Sequence, residues 1–139
     1  MKKILLILLL LFLIPLSACG KVKYEFKDGI MYEDGKEATG TFEFKIGKYR
    51  TKGKFVDGLP DGVIEEYYEN GSIMMKKFFS NGKHLKDETY YKNGQLMSNF
   101  SSDKGSSFFY DDGQLVMSFN FQTGKNSSYH ENGNPLLVI

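Results

Sequence analysis

Apolar and polar positions alternate along much of this chain. Phe42, Phe44 and Ile46 fall in one phase, and Thr41, Glu43 and Lys45 fall in the other. Leu115, Met117, Phe119 and Phe121 likewise oppose Val116, Ser118 and Asn120. A period of two predicts strands with two unlike faces. The segment from Ile73 to Phe79 is mixed in both phases, which predicts a sheet wetted on both sides in places. Val22, Tyr24 and Phe26 alternate with Lys21, Lys23 and Glu25, which suits a first strand.

Glycines punctuate these runs: Gly35, Gly47, Gly58, Gly71, Gly82, Gly94, Gly105, Gly113, Gly124 and Gly133, at steps of 8 to 13 residues. Most follow an Asp or Asn, as in Asp34-Gly35, Asp57-Gly58, Asn70-Gly71, Asn81-Gly82 and Asn93-Gly94. Such pairs supply the positive φ angles of tight hairpin turns. Turn signals at this spacing between β-formers predict consecutive antiparallel strands. No glycine-free stretch after Gly20 keeps a helical apolar face. The predicted class is all-β, an extended twisted antiparallel meander following an N-terminal signal helix.

Two turns make one repeat. Gly35 to Gly58 and Gly71 to Gly94 each span 23 residues, while Gly94 to Gly113 and Gly105 to Gly124 span 19. Aromatics keep the same phase. Tyr32, Tyr68, Tyr91 and Tyr110 stand three residues before a turn glycine, and Tyr129 stands four before Gly133. Phe55, Phe79 and Phe121 stand three before the alternate glycines Gly58, Gly82 and Gly124. A fixed period with hairpin content marks a repeat architecture.

On these residues the chain resembles the bacterial MORN repeat variant, whose units read as Tyr-x-Asn-Gly, a strand, then an aromatic with a second turn. The best copies are Tyr67-Tyr68-Glu69-Asn70-Gly71 and Tyr90-Tyr91-Lys92-Asn93-Gly94, with Phe79-Ser80-Asn81-Gly82 between them. Leu59-Pro60-Asp61-Gly62 fits the unit, whereas Ser101-Ser102-Asp103-Lys104-Gly105 departs from it. The resemblance covers about residues 30 to 134 and implies hairpin built upon hairpin. It also implies a scaffold or binding platform rather than an enzyme.

The chain opens differently. Lys2 and Lys3 precede an apolar run from Ile4 to Ile14, then Pro15, then Leu16-Ser17-Ala18-Cys19. The run is short for a transmembrane helix and suits a signal sequence. The order resembles a bacterial lipoprotein signal, which implies lipid on the Cys19 thiol and cleavage before Cys19. The alternative is a plain secretory signal cut elsewhere, with Cys19 an incidental thiol. Three segments follow: 1–18 as signal peptide, 19–29 as lipidated Cys with a short tether or first strand, and 30–139 as repeat domain. The expected location is the cell envelope. Gly20 rather than Asp after the Cys favours the outer membrane if the host has two.

Cleavage removes Lys2 and Lys3, leaving 16 basic residues against 17 acidic ones. That balance argues against nucleic acid as a partner. Catalytic candidates are poor: Cys19 is the only cysteine, and the two histidines, His84 and His130, stand beside turns. Adjacent acids such as Glu65-Glu66, Asp87-Glu88 and Asp111-Asp112 point to opposite faces of a strand and make no metal site. No cofactor, no metal and no enzymatic activity are expected. The sharpest charge pattern is Lys48, Arg50, Lys52 and Lys54, which alternate with Tyr49, Thr51, Gly53 and Phe55. On one strand these four cations share a face, either as a stripe for anionic lipid or polymer or as a solvated surface. The apolar end Leu136-Leu137-Val138-Ile139 reads as a last strand, open to pairing with a second copy.

The expected function is that of a membrane-anchored lipoprotein whose β-repeat surface binds a protein or an envelope polymer. The alternative, also implied by the resemblance, is an antitoxin or immunity protein that neutralises a partner toxin by binding.

Overall fold

The computed structural model describes residues 22–139. The signal segment, its helix and Cys19 lie outside the described residues. Thirteen strands and no helix make up the rest. Two antiparallel sheets result, one of three strands in the order β1-β2-β3 and one of ten in sequence order from β4 to β13. The first contains β1 (Tyr24–Lys27), β2 (Ile30–Glu33) and β3 (Lys36–Glu37). The second runs through β4 (Gly40–Ile46), β5 (Tyr49–Val56), β6 (Leu59–Tyr67), β7 (Ile73–Ser80) and β8 (Lys83–Tyr90). It continues with β9 (Leu96–Ser101), β10 (Gly105–Phe109), β11 (Leu115–Asn120), β12 (Asn126–Tyr129) and β13 (Pro135–Val138).

Two kinds of turn recur, four times each. Asp28-Gly29, Asp34-Gly35, Asp57-Gly58 and Asn81-Gly82 have positive φ at both residues, as a two-residue type I′ turn requires. Gly47-Lys48 between Ile46 and Tyr49 is also a two-residue turn, with positive φ at Gly47 alone. Four longer turns share another pattern. In Tyr68-Glu69-Asn70-Gly71-Ser72, the Gly71 N–H donates to the Tyr68 carbonyl and the Tyr68 N–H donates to the Ser72 carbonyl, both at 2.9 Å. Asn70 Oδ1 then accepts from the Ser72 N–H at 3.1 Å. This is a type I turn closed by a left-handed glycine. The same bonds recur at Tyr91–Gln95, Tyr110–Gln114 and His130–Asn134.

Each of these four turns follows a register shift, at Glu66/Tyr67, Thr89/Tyr90, Phe108/Phe109 and Ser128/Tyr129. The bulge and the turn together define the repeat. In the last copy His130 takes the place of Tyr68, Tyr91 and Tyr110, and Tyr129 takes that of Tyr67 and Tyr90. Tyr32 precedes a type I′ turn, so its YEDG is a different device from YENG. Gly105 lies in a strand, between Ser101 and Asn120, rather than in a turn.

The three-stranded sheet folds back over one end of the long one. Tyr24 meets Phe42 with ring centroids 5.2 Å apart, and Phe26 meets Phe44 at 5.0 Å and Phe55 at 5.8 Å. The backbones lock too, since the Met31 N–H donates to the Gly58 carbonyl and the Gly58 N–H to the Ala38 carbonyl, each at 2.9 Å. The buried apolar core is Met31, Ala38, Phe55 and Ile64. All four lie at this end. Gly53 leaves the room that Ile64 and Phe55 fill, because a side chain there would collide with the Ile64 methyl. Beyond β7 the sheet is a single layer with water on both faces.

Candidate functional site

Directly paired residues of an antiparallel sheet share a face. One row therefore crosses the whole sheet, from Glu43 through Lys52, Glu65, Lys76 and Glu88. It goes on through Asn99, Ser107, Ser118 and Ser127 and ends on Val138 of β13. Opposite charges alternate over five strands, and uncharged amides and hydroxyls follow. Each such cross-strand pair contributes about 0.2–1 kcal/mol.

This row recasts the basic stripe. Arg50, Lys52 and Lys54 are exposed on one face of β5, but Lys48 sits in the turn before it. Arg50 Nη1 lies 3.2 Å from Glu43 Oε1, and its guanidinium stacks 4.0 Å over the Tyr67 ring. Lys54 Nζ lies 3.4 Å from Asp61 Oδ2. Lys52 stands between Glu43 and Glu65 in the register. Lys48 lies over the Tyr49 ring at 5.3 Å. The cations are thus interleaved with acids from β4 and β6. The acids were visible in the sequence, but pairing them with β5 requires the register, and a one-residue slip would send them to the other face.

Further along the sheet lies a trough of about 440 Å³, lined on the polar side by Lys86, Glu88, Asn99, Ser107, Ser118 and Asn120 and reaching Phe100 and Phe119 at its apolar side. Glu88 accepts from Lys86 Nζ at 2.8 Å and from the Tyr90 hydroxyl at 2.7 Å. These bonds, Lys86 first, hold its carboxyl below the usual carboxylate range. Burial, and then Glu88, pushes the Tyr90 phenol up to about 12. The trough therefore offers a fixed carboxylate, an ammonium, amides and hydroxyls. It is equipped to hold a polar ligand by hydrogen bonds. Among the described residues, no group of three or more His, Cys, Asp or Glu is placed to hold a metal ion.

The opposite face carries most of the phenylalanines of the long sheet, while Tyr67, Phe78 and Tyr90 stand on the charged face. Phe55 is fully buried and Phe79 half-buried, whereas Phe121 is 47% exposed. His84 belongs to this series. Its ring lies 5.4 Å from Phe79 and 6.3 Å from Phe100, and Nε2 is 2.7 Å from Asp87 Oδ1. The repeat tyrosines act through their hydroxyls. Tyr68 donates to the Tyr90 carbonyl at 2.7 Å and Tyr91 to the Phe109 carbonyl at 2.9 Å, each one repeat ahead. Tyr32, Tyr110 and Tyr129 are half-buried beside their turns. Gly35, Gly58, Gly71, Gly82, Gly94, Gly113, Gly124 and Gly133 all have positive φ.

No helix among the described residues is long and apolar enough to cross a membrane. No curated protein matches the sequence. Among solved structures, a TarM mutant of S. aureus in complex with Fondaparinux, alpha-GlcNAc-glycerol and UDP is similar at 13% identity and a TM-score of 0.40. The match covers 63% of this chain and 21% of that one, so the chain spans about a fifth of its length. A likeness of that size decides nothing about fold or function. The family model that does match is the MORN repeat variant, over residues 60–81. That span holds most of β6, the Tyr68–Ser72 turn, β7 and Asn81. Residues 60–81 are a MORN repeat variant, set within a longer β-hairpin array.

Proposed function

We propose that this chain is a lipid-anchored protein of a bacterial envelope whose β-repeat sheet binds a protein or an envelope polymer through its polar face. The observation that carries the reading is the closeness of sheet and anchor. Tyr24 opens β1 only five positions after Cys19. Five extended residues reach at most about 18 Å. A lipid on Cys19 would hold the sheet against the bilayer and raise the effective concentration of envelope components around it. The MORN repeat variant and the long single-layer sheet support a binding platform. The charged row and the polar trough supply its chemistry.

The test is fractionation of the host with the intact mass of the mature chain. The reading expects acyl mass on Cys19 and recovery with membranes, both lost in Cys19→Ala. A soluble mature chain without acyl mass overturns the anchor. For the face, replacing Lys48, Arg50, Lys52 and Lys54 together by Gln should weaken binding to anionic liposomes if the partner is an anionic polymer or lipid. Unchanged binding excludes the stripe from the site. Crosslinked capture of a single toxin-like protein would select the immunity role instead.

A further inference from the structure

The aromatic face is covered at one end and bare at the other. Under the three-stranded sheet, Phe55 is 0% exposed. Beyond β8, the register carries Phe100, Phe108, Met117, Phe119 and Leu137 onto that same face, all of them between 38% and 46% exposed. Phe121 joins them, with its ring 6.1 Å from Phe100 and 5.4 Å from Phe119. Taking about 200 Å² for a large side chain, their exposed fractions leave roughly 500 Å² of contiguous apolar surface. That is at the upper end for the surface of a monomer.

The charge around this patch says what fits it. Strands β9 to β13 contain no Asp, Glu, Lys or Arg on either face. Strands β4 to β8 carry charges on every strand. The polar neighbours within the patch are Ser98, Ser106, Asn126 and Ser128, whose side chains both donate and accept. An anionic bilayer would be met by cations on these strands, and there are none. On β9 to β13 a twin of the same patch meets no like charge, and its hydroxyls and amides find their own complements; Asp87 stands only at the rim, paired with Phe100 and 2.7 Å from His84 Nε2. Two such patches bury about 1,000 Å², the size a specific interface needs.

We propose that two copies of this chain pair face to face through the aromatic half of β9 to β11, about a two-fold axis. The contact is isologous, so one patch supplies both sides. It differs from pairing along the edge of β13. It leaves both polar faces turned outward, which makes the pair a two-sided platform. It does not depend on the lipid on Cys19.

The test uses a photo-crosslinking residue at Ser106 or at Ser107 in the full chain, in its host. These neighbours point to opposite faces of β10. Face-to-face pairing gives a covalent homodimer from Ser106 and none from Ser107. In purified full-length chain held in detergent, Phe119→Glu should weaken dimerisation by roughly tenfold or more, and Val138→Glu, exposed on the other face, should leave it unchanged. Circular dichroism confirms that the variants keep the sheet. The crosslinker at Ser106 answers even if Phe119→Glu does not fold. The proposal is overturned by a monomer with no Ser106 adduct, or by a dimer indifferent to Phe119→Glu, as β13 edge pairing would be. A Ser106 adduct to lipid or to a different protein alone overturns it as well.

Discussion

The hydroxyl of Tyr68 donates to the backbone carbonyl of Tyr90, 22 residues on, at 2.7 Å. Tyr91 repeats the bond to Phe109 at 2.9 Å. In these two repeats the aromatic that opens the long turn thus ties that turn to the next repeat. Neighbouring turns add weaker ties, such as Asn93 Nδ2 to the Asp111 carbonyl at 3.0 Å. In an array where each unit touches only its neighbours, such ties are the coupling between units.

Tyr68→Phe removes the hydroxyl and leaves the ring. The expected cost is about 1 kcal/mol, seen as a lower urea midpoint at unchanged slope. Hydrogen exchange should accelerate first in β7 to β9, where the coupling is lost. An unchanged midpoint would remove the hydroxyl from the account.

Phe55 packs under Phe26, Phe42 and Phe44, with ring centroids 5.8 to 6.0 Å away. Phe55→Ala should cost about 3–5 kcal/mol and loosen the three-stranded sheet from the long one. Phe121→Ala, at 47% exposure, should cost far less. Thermal unfolding of the two variants checks the contrast.

Gly105 and Gly124 both have positive φ, at 120° and 69°. A Cβ at Gly124 meets nothing within 4 Å, while one at Gly105 collides with the Phe119 carbonyl oxygen on β11. Gly124→Ala should therefore cost only the left-handed penalty of about 1–2 kcal/mol. Gly105→Ala should cost clearly more and separate β10 from β11. Equal costs in urea titrations would contradict the close approach.

Tyr90 is pushed from 10.0 up to about 12 by burial and then by Glu88. Between those values the folded chain keeps a proton that the unfolded chain releases. The stability from this group is complete below pH 10 and is lost as pH rises toward 12. Tyr90→Phe should make the alkaline loss of stability shallower. Urea midpoints from about pH 9 upward, for both chains, read the difference.

Much of this molecule was legible from the spacing of glycines. Asp57-Gly58 and Asn81-Gly82 announce hairpins because few other pairs tolerate positive φ twice. The kind of turn was not legible. Asp34-Gly35 and Asn70-Gly71 look alike, yet the first is a two-residue turn and the second ends a three-residue one. That ambiguity set Tyr32 beside Tyr68 and hid the equivalence of His130 with the repeat tyrosines. Gly105 read as a turn glycine because spacing cannot distinguish a turn from a backbone contact. The charged row from Glu43 to Glu88 was hidden for another reason. Alternation assigns a residue to a face, but only the bulges at Glu66/Tyr67 and its counterparts determine which acid meets which lysine. The folding back of β1 to β3 over Phe55 is a long-range contact that no local pattern encodes.

An envelope-anchored sheet that binds through its polar face must touch its partner at the trough. The most direct measurement is photo-crosslinking in the native host from position 99, replacing Asn99 in the trough, followed by mass spectrometry of the adducts. One recurrent adduct is expected, an envelope protein or polymer, and it disappears when Cys19→Ala frees the chain from the membrane. An anchored chain with no envelope adduct from this face, or the same adduct with and without Cys19, would contradict binding of this kind.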